Sequence, residues 1–300
     1  MNEIQIPKIF LEKRTTPTIY LDTCAMVELA RCANGTCKDA HKEELDELYR
    51  VLKPMIRTQR IYCPKGNQLE EMGMSAERTE ARNFLYSFTN SEMFRPFDVR
   101  IAQQQAGYSA FISNAPAIKL GLDTVFKDTS HNRLPFIIHV DPVYSREKID
   151  ELCRQKHHNK TVLNEMKRTQ QIEKTLESQL RVELDADHWL FEKYLLHNPQ
   201  DSLDAFSRFA DEMGLFYRIT CQPFEEAGLN YATFLQSPYH YCLPYIWIRA
   251  CLWAHLMQRP NKIQNGDNLD VEWAAAYLPF VDYAVTDDAF CKLLQSSGLA

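Results

Sequence analysis

Four stretches of this chain set acids beside apolar segments, and those acids are the residues whose spacing could do chemistry. Asp22 closes the apolar part of PTIYLDTC, Glu70 and Glu71 fall in CPKGNQLEEM, Asp267 and Asp270 in NGDNLDVEWAAA, and Asp287 and Asp288 in AVTDDAF. Carboxylates brought together repel one another, and a divalent cation with a hard-oxygen preference, Mg²⁺ or Mn²⁺, relieves the repulsion. One such ion, or two roughly 4 Å apart, activates water and stabilises the charge of an in-line phosphodiester displacement. Each acid also has an ordinary structural use. Asp267 follows Asn265-Gly266 and suits a helix N-cap, while Asp270 in the first turn favours the helix dipole. Glu70 and Glu71 sit early in a helix, where acids are also favoured, and Asp287 and Asp288 suit a turn after a strand. Asp22 is hardest to dismiss, because no capping duty for it is visible in the sequence.

The elements that must position these acids alternate strand and helix in the opening third. TIYLDT reads as a strand, HKEELDELYRVLKP as an amphipathic helix, and RIYCP as a second strand before another helix. After Met74 long helical patterns take over: AERTEARNFLYSF, REKIDELCRQK, a polar run from Thr161 to about Leu196, and DSLDAFSRFADEMGLFY. PFIIHVD, from Pro135 to Asp141, is the one candidate strand among them. NLDVEWAAAYLPF then reads as a helix, and VDYAVTDD returns to a strand ending in acids. The expected architecture is α/β: a parallel sheet flanked by helices, built from residues 1–74 and 259–300, with a large all-helical insertion over 75–258 packed onto it. Parallel sheets present functional groups at the carboxyl ends of their strands, which is where Asp22, Asp287 and Asp288 fall.

YLDT, IYCP followed by QLEEM, and DNLDVEWAAAYLPFVDYAVTDDAF together resemble the metal-binding segments of PIN-like nucleases. The resemblance covers residues 17–74 and 260–296, about a third of the chain, and its late segment is the most specific. It implies metal ligands at Asp22, at Glu71 or Glu70, at Asp270 with Asp267 in support, and at Asp288 or Asp287, with Thr286 orienting one of the last acids. Of these, Asp22, Glu71, Asp270 and Asp288 are the implied catalytic set. Asp282, at the start of its strand, falls away from the metal. The resemblance implies hydrolysis of phosphodiester bonds with Mg²⁺ or Mn²⁺, with RNA favoured over DNA. The insertion is far larger than in a minimal PIN domain, and no closing strand is evident before Ala300. A haloacid-dehalogenase-type phosphatase also begins with an Asp after an apolar strand, but its chemistry wants a second acid two residues on, where Cys24 stands.

Composition narrows the field. The chain has 300 residues, 45% hydrophobic and 25% charged, enough for a sizeable core, and a net charge of −6 that does not advertise a nucleic-acid partner. Nine cysteines, none in a Cys-x-x-Cys pair, argue against a disulfide framework or a structural zinc site. Cys24 is expected in the core, and Cys32 and Cys37 flank the turn signal Asn34-Gly35. No basic leader precedes an apolar stretch at the N-terminus, so a cytoplasmic location is expected. The longest apolar run, Tyr241 to Met257, is interrupted by Pro244, Arg249 and His255 and reads as a buried helix, not a membrane span. With nine glycines, and no nucleophile elbow, P-loop or dinucleotide binding is not expected.

A nuclease needs cations to hold a polyanion near its acids. The richest stretch is RQKHHNKTVLNEMKR, where Arg154, Lys156, Lys160, Lys167 and Arg168 stand against the single acid Glu165. A solvated helix face is its ordinary reading. His157 and His158, adjacent on a helix, point apart and make a poor metal pair. Tyr239, Tyr241, Tyr245, Trp247 and Trp253 suit a packed helical core better than a base-stacking platform. A large helical addition could also hold a nuclease inactive until a regulatory protein arrives, as in toxin or defence systems. A catalytically silent scaffold that binds a protein partner is the alternative. The sequence leaves the oligomeric state open.

Overall fold

The computed structural model describes residues 6–37, 42–66, 68, 79–90, 92–126, 146–168, 173, 175–192, 231–264 and 266–299. The first part of the chain forms β1 (Lys8–Leu11), β2 (Ile19–Leu21), α1 (Thr23–Ala33), α2 (Lys42–Arg57) and α3 (Thr79–Phe88). There follow α4 (Pro96–Ile112), β3 (Ala117–Leu120), α5 (Arg146–Arg168), α6 (Leu176–Leu184) and α7 (Ala186–Leu190). The last part contributes α8 (Tyr231–Leu235), α9 (Pro238–Tyr241), α10 (Pro244–Gln258), α11 (Asp267–Tyr277), β4 (Tyr283–Val285) and α12 (Asp288–Ser296). The result is a mixed α/β protein, mostly helical, with two short two-stranded parallel sheets.

The sheet that carries the acids is built on β2. Ile19, Tyr20 and Leu21 are all buried, which is why the strand reads as an unbroken apolar run and not as an alternation. Because side chains alternate across a strand, the three residues serve two cores. Ile19 and Leu21 pack with Met26 and Leu29 of α1, Leu52 and Ile56 of α2, and Leu85 and Phe88 of α3. Tyr20 points into a larger core with residues from α4, α10, α11 and α12. Its ring lies 6.5 Å from Trp273, edge to face, and 5.4 Å from Tyr277.

β2 pairs parallel with β4 in the register Ile19↔Tyr283, Tyr20↔Ala284, Leu21↔Val285. On its other side Thr18 bridges Tyr62, also parallel, and the same 62–65 segment bridges Glu92 through Lys65. Four segments thus run in one direction, with β2 inside. Gly66 has to be small, since a Cβ there would lie 2.9 Å from the Tyr20 ring and 3.0 Å from Gln68 Oε1. The buried Gln68 side chain in turn donates to the Leu21 carbonyl.

The expectation of an all-helical insertion is corrected. β3 lies within it and pairs parallel with β1, from Lys8↔Ala117 to Leu11↔Leu120. AIKL is too short to show a period, and a strand of this kind is stabilised by its partner and not by local preference. PFIIHVD, the pattern over DSLDAFSRFADEMGLFY, and parts of the Thr161–Leu196 run lie outside the described residues. The apolar run becomes α10, which buries ten of its side chains and packs along both α6 and α11. Among the described residues no helix is long and apolar enough to cross a membrane.

A buried polar network ties the helices together, and no sequence pattern announced it. Arg100 of α4 pairs with Asp187 of α7, each at most 4% exposed. Gln104 Nε2 donates to Asp187 Oδ2 at 2.8 Å, and His240 Nε2 lies 3.2 Å from the same oxygen. Farther along, Arg249 Nε of α10 donates to Glu272 Oε1 of α11 at 2.8 Å, and the Tyr245 hydroxyl donates to Oε2. Burial alone would raise the Asp187 carboxyl, but Arg100, His240 and Arg249 outweigh it and hold the group well below the usual carboxylate range. A depressed folded value stabilises the fold above the unfolded value of about 3.9 and loses that contribution as pH falls below it. Replacing Asp187 with Ala leaves Arg100 buried and uncompensated, with an expected cost of about 3–5 kcal/mol. Denaturant melts of Asp187→Ala against the parent chain check this. The deficit should be full near neutral pH and narrow in acid; an equal deficit at all pH values overturns the assignment.

Candidate metal centre

The register of β2 and β4 brings two acids to one edge. Asp22 N donates to the Val285 carbonyl at 3.0 Å, so the chain leaves both strands side by side. Each strand then runs directly into a helix whose N-cap is an acid. Asp22 caps α1, its Oδ1 accepting from Ala25 N at 3.0 Å, and Asp287 caps α12, its Oδ1 accepting from Phe290 N at 2.8 Å. Cys24 Sγ donates to Asp22 Oδ1 at 2.9 Å. One ligand atom from each of Asp22, Cys24 and Asp287 lies within 4.8 Å of the others. Asp270 of α11 and Thr286 line a crevice together with Asp22, and its apolar wall includes Trp273, Tyr277 and Phe290.

Asp22 therefore has the capping duty that its sequence context conceals. Of the pair at the end of β4, Asp287 faces Asp22, whereas Asp288 is 80% exposed and pairs with Lys292 one turn along α12. The expectation that Asp288 completes the cluster is corrected on that ground. Asp270 lines the crevice, but Asp267 does not; its Oδ2 accepts from Gln264 N at 2.8 Å, and Gly266, not Asp267, holds the N-cap position. Asp282 Oδ2 accepts from Thr18 N at 2.8 Å at the opposite end of the strand. Glu70 and Glu71 lie outside the described residues. Cys24, expected in the core, is exposed and belongs to the cluster. Its position was readable in one respect: the residue two after an N-cap acid shares the first turn with it.

The basic run on α5 is partly committed elsewhere. Lys167 Nζ donates to the carbonyls of Leu256, Arg259 and Asn261, closing the C-terminal end of α10, so its expected role on nucleic acid is corrected to a structural one. Arg168 forms an exposed pair with Glu165. Arg154 lines an open depression with His157, His158 and Thr161, Lys160 is half-buried, and the Lys156 side chain is outside what is described.

Two carboxylates at one edge are tolerable because each sits at a helix N-terminus, where the backbone N–H groups and the helix dipole favour negative charge. Partial burial, and after it the charge and hydrogen bond of Asp22, push the Cys24 thiol well above its ordinary value. The donor set could hold a divalent cation: capping occupies one oxygen of each aspartate and leaves the second, and the three donors found among the described residues leave coordination positions for water.

Comparison of the chain with protein-family models, curated proteins and solved structures finds no match. The reading of the centre rests on its own geometry. A cation held at this edge should stabilise the folded chain by about 2.7 kcal/mol at a hundred times its dissociation constant. Thermal melts with and without Mn²⁺ test it. Asn caps helices as well as Asp does, so Asp22→Asn and Asp287→Asn remove charge without removing the caps. Both should abolish the Mn²⁺ shift, and Asp288→Asn should keep it.

Proposed function

We propose that this chain is a PIN-like nuclease that hydrolyses phosphodiester bonds with Mg²⁺ or Mn²⁺, RNA being its favoured substrate. The observation that carries the reading is the convergence of Asp22 and Asp287 at the carboxyl edge of paired parallel strands, with Asp270 opening on the crevice beside them. Asp22 and Asp287 hold the cation. Asp270 lines the adjoining crevice from α11, outside the set of Asp22, Cys24 and Asp287, and would add a carboxylate there to help hold the ion or to take up a proton. Thr286, which lines the crevice, orients Asp287 by the family resemblance alone. Glu71 or Glu70 completes the acid set by the family resemblance alone. The cation, when bound, supplies a lowered water pKa and charge stabilisation at the phosphate. A cytoplasmic setting fits this reading, since Cys24, Cys32, Cys37, Cys63, Cys242, Cys251 and Cys291 are free thiols.

A second reading has one specific observation in its favour. Both aspartates of the cluster cap helices, so a catalytically silent scaffold would keep them for stability alone, with its helical part binding a protein partner. A nuclease held inactive until such a partner arrives lies between the two readings. Labelled single-stranded RNA and DNA, incubated with the purified chain and Mn²⁺ or EDTA, separate them. We expect Mn²⁺-dependent cutting, stronger on RNA, that falls on the order of 10²–10³-fold in Asp22→Asn, the scale for removing one preorganised charge-stabilising group. Absence of cutting in the parent chain, with Mn²⁺ demonstrably bound, favours the scaffold or the partner-gated form.

A further inference from the structure

The cluster at the edge of β2 and β4 contains a residue that the nuclease reading does not use. We propose that Cys24 is itself a ligand of this metal centre and that its thiolate raises the affinity of the site for Co²⁺ and Zn²⁺ relative to Mg²⁺. The inference rests on the metal-centre reading above and goes beyond it by naming a soft ligand and the cation class that follows from it.

The geometry comes first. Cys24 Sγ is 2.9 Å from Asp22 Oδ1, and a carboxylate oxygen of Asp287 completes a set within 4.8 Å. Those separations suit three donors arranged around one ion. The sulfur is held there by the fold: Cys24 stands in the first turn of α1, whose start is fixed by the Asp22 cap and by the Asp22 N to Val285 carbonyl bond. Helical side chains lean toward the N-terminus, which directs a residue of the first turn back at the capping acid. The residue is exposed, so a cation can reach it.

A second, independent observation points to a ligand in the crevice that adjoins the cluster at Asp22. Trp273 lines the crevice it shares with Asp22 and Asp270, is only 5% exposed, and its indole N–H has no hydrogen-bond partner among the described residues. A buried donor without an acceptor is costly, and an entering oxygen ligand, a metal-bound water or a phosphate oxygen, would satisfy it.

The chemistry sets the preference. Mg²⁺ demands near-ideal octahedral oxygen coordination and gains little from sulfur, whereas Zn²⁺ and Co²⁺ take mixed thiolate and carboxylate sets. Coordination breaks the S–H bond and forms a metal–sulfur bond; the proton leaves to solvent and no oxidation state changes. Without the cation the thiol keeps its proton and donates a hydrogen bond to Asp22 Oδ1, as the structure has it.

Co²⁺ is the probe, because a thiolate bound to it gives a near-ultraviolet charge-transfer band that carboxylates do not. Titrating the full chain with Co²⁺ should produce that band. Cys24→Ser and Cys24→Ala should both lose it and weaken Co²⁺ and Zn²⁺ binding by about tenfold or more, the low end of the range for loss of a supporting group at a metal site, while Mg²⁺ affinity moves less. Cys291→Ser, outside the cluster, should leave the band intact. If Co²⁺ binds with an unchanged band and affinity in Cys24→Ser, Cys24 is not a ligand, yet the carboxylate centre stands provided Asp22→Asn still abolishes binding. If the parent chain binds neither Co²⁺ nor Mn²⁺, both the inference and the metal-centre reading fall.

Discussion

The pairing of β2 with β4 is the constraint on which the rest depends. Three residues from each end of the chain lie in parallel register, and parallel strands bring their carboxyl ends to one edge. A parallel pair cannot be joined by a tight turn, so the chain must leave the edge after Asp22 and return before Asp282, enclosing α1 to α11 on the way. β2 is short, and what fixes it is burial on both faces together with hydrogen bonds on both sides. Ile19 N donates to the Tyr62 carbonyl at 2.8 Å, and Tyr283 N to the Thr18 carbonyl at 3.1 Å. A slip of one residue would exchange Tyr20 for Ile19 and Leu21 between two cores of different shape, and that penalty pins the register. It is therefore hydrophobic packing that decides where the two carboxylates meet.

The helical part is a structural component of that edge, not an attachment to it. α11, which carries Asp270, is gripped from α10 through Glu272, two residues along the same helix, by Arg249 and Tyr245. α10 is closed at its own end by Lys167 and Asn164 of α5, the latter exchanging hydrogen bonds with Ile263. Asp270 thus inherits its position from a chain of contacts running through α5 and α10. The same chain limits what α5 can offer a polyanion, since Lys167 already satisfies three carbonyls. Toward the start of α5, Arg154 lines an open depression with His157 and His158.

Much of this edge was legible in the sequence because it is encoded locally. An apolar run ending in an acid, and the ordered series DNLDVEWAAAYLPFVDYAVTDD, mark strand ends and a helix start whatever the tertiary context. What was not legible required a partner. Choosing Asp287 over Asp288 depends on which of two adjacent residues becomes the N-cap, a difference of one position at a helix start. Asp22 looked free of capping duty because α1 begins at once after β2, with no loop to announce the cap. β1 and β3 are four-residue strands whose only evidence is each other. The network of Arg100, Asp187 and His240 joins residues up to 140 positions apart, and each of them alone resembles a surface residue.

Capping and metal binding by Asp22 and Asp287 are not competing explanations of the same side chains. A carboxylate has two oxygens, and an N-cap hydrogen bond engages one of them. That bond removes rotamer freedom and aims the second oxygen along a direction set by the helix, so the cap does for the carboxylate what an outer hydrogen bond does for a metal-bound histidine. A site made of two such caps gains preorganisation, and a third donor that caps no helix adds to it. Cys24 is the described member of the cluster with that character, sharing the first turn of α1 with Asp22, while Asp270 reaches the adjoining crevice from a helix whose N-cap is a glycine. The capping aspartates are required whether the edge is catalytic or only structural, so the two readings part at Cys24, the member of the cluster that caps no helix.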